Sequence, residues 1–180
     1  MIAFLAVLAV VAQLATLGVL VAWIMQRVGS RRPFDALVAV VGPDALRLAW
    51  LVALVAMAGS LYFSEVRHFA PCPLCWYQRI AMYPLALVLG IAAVTDDRRI
   101  GRYVLPVALV GAAISSYHYQ LERFPDQEAV ACSKEIPCTT IWFEQFGYIT
   151  LPLLALSAFL LIAALVWLGG RHGQGVTSEA

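Results

Sequence analysis

Apolar residues fall in five long blocks separated by shorter polar stretches. Ile2–Ile24 carries no charge and has Gln13 as its one strongly polar side chain. Leu48–Ser64 is also charge-free, and Ile80–Val94, short alone, is lengthened by Trp76 and Tyr77. Tyr103–Leu121 and Tyr148–Leu168 are long enough unaided. Crossing ~30 Å of hydrocarbon at ~1.5 Å per residue takes about 20 residues. Backbone polar groups in lipid must be satisfied within the segment, so each block predicts a transmembrane helix. The first block lacks a basic start, is long for a signal core, and is followed by Gln26 and Arg27 instead of a small-residue cleavage site. That pattern predicts a retained helix.

The expected fold is therefore all-α and polytopic: a four-helix transmembrane bundle over 45–168, one additional N-terminal span with its loop over 1–44, and a tail over 169–180. Composition agrees. Of 180 residues, 62% are hydrophobic and 13% charged, too little polar surface for a soluble body of this size. The net charge is +1 and the basic residues form no patch, which argues against nucleic acid. Their distribution does set an orientation. Arg27, Arg31, Arg32, Arg47, Arg98, Arg99, Arg102 and Arg171 fall on one side, and only Arg67, Arg79, Arg123 and Lys134 on the other. The positive-inside rule then places the N-terminus outside and the C-terminus in the cytoplasm. Both cysteine pairs fall outside.

Smaller features fit this plan. Asp44 is a candidate N-cap for the second span, and the apolar run 34–41 is a candidate interfacial segment. Pro84, Pro106 and Pro152 sit within spans, where kinks are tolerated. Gly111 with Ser115, and Ala56 with Ser60, are small-residue pairs suited to close helix approach. The loop over 120–147 is long for a compact bundle, which itself hints at function.

The chemistry lies in Cys72, Cys75, Cys132 and Cys138. Cys72-Pro73-Leu74-Cys75 stands at the mouth of the third span. Two residues between cysteines suit a small redox-active ring, and a helix tip stabilises a thiolate, here expected at Cys75. Arg79 lies one turn beyond Cys75 on the same face, positioned either to favour that thiolate and a quinone carbonyl or to anchor lipid headgroups. Cys132 and Cys138 enclose Lys134, Glu135 and Pro137 in a short loop. Spacing alone leaves a redox relay and a pair of structural disulfides both open. A four-cysteine zinc site fits poorly, because an oxidising compartment favours bonded sulfur and the second spacing is unlike a zinc knuckle.

Ser60-Leu61-Tyr62-Phe63-Ser64-Glu65-Val66 and Pro71-Cys72-Pro73-Leu74-Cys75-Trp76-Tyr77-Gln78-Arg79 resemble the bacterial disulfide-bond-formation membrane proteins, the DsbB/BdbC family, and especially its short-loop BdbC-like branch. Tyr117-His118-Tyr119, the Cys132…Pro137-Cys138 loop and Phe146-Gly147-Tyr148-Ile149-Thr150-Leu151-Pro152 agree with it. The resemblance covers about 48–165 and leaves the first span outside. It implies a four-helix bundle holding a membrane quinone, ubiquinone or menaquinone, beside Cys72 and Cys75. It also implies an extracytoplasmic thioredoxin-like partner of the DsbA/BdbD type that attacks Cys132. Cys138 then passes electrons to Cys72, and Cys75 reduces the quinone. Arg79 and His118 match positions near the quinone. The six-residue step from Cys132 to Cys138 is shorter than in the long-loop branch, which bears on the order of exchange.

Other residues carry less. His68 reads as a solvated loop histidine, and Glu65 as a cap or a partner of Arg67. Trp76, Tyr77, Tyr83, Trp142 and Phe143 read as an aromatic belt at the outer interface, with Trp142 and Phe143 also placed to hold the long loop near the first cysteine pair. A vitamin K epoxide reductase-like enzyme is disfavoured because there the loop pair precedes the C-x-x-C pair. A non-catalytic membrane subunit with two structural disulfides is the remaining alternative.

Overall fold

The computed structural model describes residues 1–127, 132 and 136–178, with side chains as far as 173. Lys134 and Glu135 lie outside the described residues. Six α-helices are present among those described: α1 (Ile2–Val28), α2 (Arg32–Val41), α3 (Ala45–Leu61), α4 (Pro73–Thr95), α5 (Gly101–Arg123) and α6 (Leu151–Ser178). Five helical segments are long and apolar enough to cross a membrane, all but α2. The fold is the all-α, polytopic membrane architecture that the apolar blocks predict.

The bundle is α3 to α6. α3 packs on α4 and α6, and α5 packs on α4 and α6. Helices in lipid gain little from burying apolar surface against one another, so close packing falls to small residues. Ala45, Ala49 and Ala53, spaced one turn apart on α3, are fully buried. Gly111 of α5 works the same way: a Cβ there would collide with the ring of Phe159 on α6. Ser60 does more than fill a small-residue position, since its hydroxyl accepts from Arg79 Nε at 3.0 Å. α1 lies outside this bundle, along α6, and α2 packs on both.

Several boundaries differ from the sequence expectation. α4 begins at Pro73, well before its apolar run, because proline suits a first helical position and Cys72 serves as its N-cap. The last span starts at Leu151, not Tyr148. The chain first makes a tight turn in which Ile149 N–H donates to the Gln145 carbonyl at 2.9 Å, with Gly147 at φ +74. The run 34–41 is a full helix, with Phe34 buried against Trp167 at a ring separation of 5.2 Å. Asp44 occupies the N-cap position of α3, but its carboxylate pairs with Arg47 at 2.9 Å and makes no cap bond. Glu65 accepts from Ser64 Oγ at 3.0 Å and forms no pair with Arg67.

Arg98, at the start of the α5 segment, ties the far end of the molecule together. Its guanidinium donates to the carbonyls of Gly42, Pro43 and Gly169 at 2.8, 3.0 and 3.3 Å. At the opposite end α3 runs into a π-helical turn, Tyr62–Val66. π turns of this kind cluster at functional sites, and this one leads directly to the cysteines.

Candidate active site

All four cysteines gather at one end of the bundle. Cys132 and Cys138 form a disulfide, while Cys72 and Cys75 are free thiols. Cys72, Cys138, Leu74 and Leu121 share a buried cluster, with Cys75 and Cys132 packed against it. Cys138 is only 1% exposed and Cys72 3%, whereas Cys132 is half-buried. The inner sulfur of the loop pair therefore packs toward Cys72, and the outer one is reachable.

The helix tip acts on Cys72 and not, as expected from spacing, on Cys75. With Pro73 at the first helical position, Cys72 is the capping residue, and its Sγ accepts the Cys75 N–H at 3.3 Å. The two sulfurs are 2.9 Å apart, and His118 Nε2 lies 3.6 Å from Cys72 Sγ. The thiol of Cys72 is accordingly drawn down from an ordinary 9.0 to about 4. The hydrogen bond from Cys75 is the largest cause and burial opposes it; His118 lowers it further by hydrogen bond and charge.

His118 is 3% exposed. Its Nδ1 lies 3.0 Å from Gln78 Nε2. Nε2 is thus the ring nitrogen that faces Cys72 Sγ, while Nδ1 faces Gln78. One turn along α5 from His118 stands Glu122, 6% exposed. Among the described residues, neither Glu122 Oε2 nor the hydroxyl of neighbouring Thr150 has a hydrogen-bond partner. Glu122 went unnoticed in the sequence because the apolar block ends at Leu121. Its i,i+4 spacing from His118 was the available signal.

Cys75, by contrast, lines an apolar cavity of about 390 Å³ bounded by α1, α3, α4 and α6. Arg79 lines it too, with its guanidinium held by the hydroxyl and carbonyl oxygens of Ser60 at 3.0 and 3.1 Å and lying over the Trp76 ring at 5.2 Å. Gln78 joins the two environments, reaching His118 on one side and the cavity on the other. His118 does not line the cavity; it touches Cys72. At the cysteine end the cavity is roofed by stacked rings: Phe63 on Phe69, Phe63 on Phe143, and Phe69 on Trp142, with centroids 5.8, 5.3 and 4.9 Å apart. The expected role of Trp142 and Phe143 thus has its partners in Phe63 and Phe69, which the sequence did not single out. His68 is exposed and remote in chemistry from this set.

Cys72, Cys75 and His118 place three donor atoms within 4.8 Å of one another. The four-cysteine site considered above is not assembled, since Cys132 and Cys138 are bonded to each other.

Residues 44–169 match the family described as Disulfide bond formation protein DsbB. The chain belongs to that family. Disulfide bond formation protein C of Bacillus subtilis (strain 168) is 53% identical over 118 residues, 65% of this chain and 86% of that protein. Probable disulfide formation protein C 1 of Bacillus cereus (strain ATCC 10987 / NRS 248) is 50% identical over 121 residues, 66% of this chain and 86% of its own. Probable disulfide formation protein C of Halalkalibacterium halodurans is 47% identical over 116 residues, 63% and 84% of the two chains. No solved structure matches. As a member of the DsbB family the chain is a multi-pass membrane protein of disulfide formation, an oxidoreductase acting with thiol-oxidase chemistry. α1 and α2 stand ahead of the matched residues.

Proposed function

We propose that the protein is a dithiol:quinone oxidoreductase that reoxidises an extracytoplasmic thioredoxin-like protein of the DsbA/BdbD type. The observation carrying this reading is the position of the Cys72–Cys75 pair. On one side it packs with the Cys132–Cys138 disulfide, and on the other Cys75 opens onto the apolar cavity. The arginine distribution supports a topology with the N-terminus outside, the C-terminus in the cytoplasm and the cysteines on the outer face.

A quinone has carbonyl oxygens and a hydrocarbon tail, and the cavity offers matching chemistry: Arg79 and Gln78 beside Cys75, apolar side chains elsewhere. When bound, the quinone supplies a sink for two electrons and two protons.

The chain's own steps are thiol–disulfide exchanges. The partner's thiolate attacks Cys132, the accessible sulfur; that bond forms, Cys132–Cys138 breaks, and Cys138 leaves as a thiolate. Cys138 attacks Cys72 of an oxidised Cys72–Cys75 pair, so Cys75 takes the electron pair at the cavity wall. The partner's second thiol then releases the partner as a disulfide, and Cys132 displaces Cys72 from Cys138. The outcome is a bonded Cys132–Cys138 with Cys72 and Cys75 reduced, the sulfur state found here. A thiolate-stabilised Cys72 favours the reduced pair and makes its oxidised form a stronger acceptor.

Purified protein supplied with a reduced thioredoxin-like partner should reduce quinone, and Cys72→Ser or Cys75→Ser should abolish turnover. Unchanged turnover in either variant sinks the relay. Labelling of Cys132 in a Cys138→Ala variant, in cells, by a membrane-impermeant thiol reagent tests the topology.

A further inference from the structure

α1 supplies one wall of the acceptor cavity, although it lies outside the family match. Leu5, Leu8, Ala9, Val11 and Ala12 face the space from one side, opposite α3, α4 and the start of α6. Without them the groove beside Cys75 and Arg79 would open laterally to lipid. The wall is fastened by polar contacts that are rare inside an apolar helix. Gln13 Nε2 donates to Ser157 Oγ of α6 at 3.0 Å, and Gln13 Oε1 accepts from the Tyr148 hydroxyl at 3.2 Å. Gln13 is half-buried, and a polar side chain within a membrane helix faces the groups that satisfy it. Small residues complete the seam: Ala6 and Ala9 pack with Ile149, beside Leu153 and Leu154. Toward α3 the contact is lighter, with Leu5 resting 3.4 Å from where a Gly59 Cβ would be.

We propose that α1 is a tail-binding wall and lateral gate: it closes the acceptor groove from the bilayer, holds the hydrocarbon tail of a lipid-soluble quinone against α3 and α6, and leaves the α1–α3 seam as the way in. This rests on the quinone reading above. The wall sets how firmly the acceptor is retained and which tail is preferred, while the thiol exchanges at the other face of Cys72 proceed independently of it.

The test uses the full-length protein in two ways. A photoreactive quinone with its label on the tail is cross-linked and mapped by peptide mass spectrometry, and quinone retained through purification is extracted and counted. Label is expected on the α1 peptide containing Leu8 to Ala12. Ala12→Phe, which fills the cavity, should weaken binding of a long-tailed quinone about tenfold, in line with the usual cost of overpacking. Gln13→Leu, which unfastens the wall without filling it, should speed quinone loss. Leu14→Phe, on the exposed face, should do neither. Single-turnover transfer from the thiol partner should stay at the wild-type rate in Leu14→Phe, and unfolding midpoints in detergent close to wild type show that Ala12→Phe and Gln13→Leu are folded. Label confined to α3 and α6, with wild-type retention in Ala12→Phe and Gln13→Leu, overturns the gate and leaves the quinone reading intact. Displacement of the label by phospholipid but not by unlabelled quinone overturns it as well, making the occupant an acyl chain. Absence of any labelling or quinone turnover in the wild type overturns both.

Discussion

Removing the His118 ring isolates its contribution to the Cys72 thiolate. Cys72 is held near 4 by several partners, of which the Cys75 hydrogen bond is the largest and His118 the next that lowers it. A hydrogen bond to a charged group contributes about 1.5–3 kcal/mol, or about 1–2 pH units at 1.36 kcal/mol per unit. His118→Ala should therefore raise the Cys72 midpoint from about 4 to about 5–6. It should not return to the ordinary 9.0, because Cys75 and the helix-tip amide remain. The assay is ultraviolet thiolate absorbance against pH in a variant with Cys132 and Cys138 replaced by alanine, so that only the first pair titrates. Cys75→Ala in the same background should shift the midpoint further than His118→Ala does. A midpoint that stays put on losing His118, or a larger shift from His118→Ala than from Cys75→Ala, would refute the assignment of causes. The same group gives the reduced protein a pH dependence. Its folded-state value is depressed, so the stabilisation it brings is complete above about 9 and is lost as pH falls through about 4.

Glu122→Gln should lower the Cys72 midpoint slightly, the opposite sign to His118→Ala, since a carboxylate near the sulfur repels its thiolate; the same titration reads it. Arg79→Met should slow quinone reduction while leaving exchange between Cys132–Cys138 and the partner unchanged, because Arg79 borders the cavity and not the loop pair; stopped-flow separation of the two half-reactions decides. Gly111→Ala should destabilise the bundle by about 1–3 kcal/mol through overpacking against Phe159, measured as a lower unfolding midpoint in detergent.

The spans were legible because lipid imposes one rule on every residue in them. Apolar runs long enough to cross left little choice but helix, and the end of the bundle that collects the cysteines followed from chain order. Boundaries set by a few specific residues were not visible in that pattern. Pro73 moved the start of α4 ahead of its apolar run and so turned Cys72, not Cys75, into the residue at the helix tip. Gly147 and the turn at Gln145 delayed α6. The pairing of Arg79 with Ser60 depends on the approach of two helices, which hydropathy does not encode. Glu122 was missed because an acid at the edge of a span reads as the beginning of a loop, yet α5 continues past it and buries it behind His118. The role of α1 was invisible for a similar reason: its sequence is uniformly apolar, and only the assembled cavity distinguishes Ala9 and Ala12 from Leu14.

Arg98 gives the molecule a mechanical asymmetry. By binding the carbonyls of three segments it makes the far end a rigid base, where Trp23 and Phe34 also lock onto Trp167. From Ala22 in that base to Leu5 at the α3 seam is a lever of roughly 25 Å, so a tilt of about 8° displaces the Leu5 end by about 3.5 Å, the thickness of a flat ring. A slit wide enough for a flat ring can thus come from a small pivot of one rod, with the sulfur chemistry on its other side undisturbed.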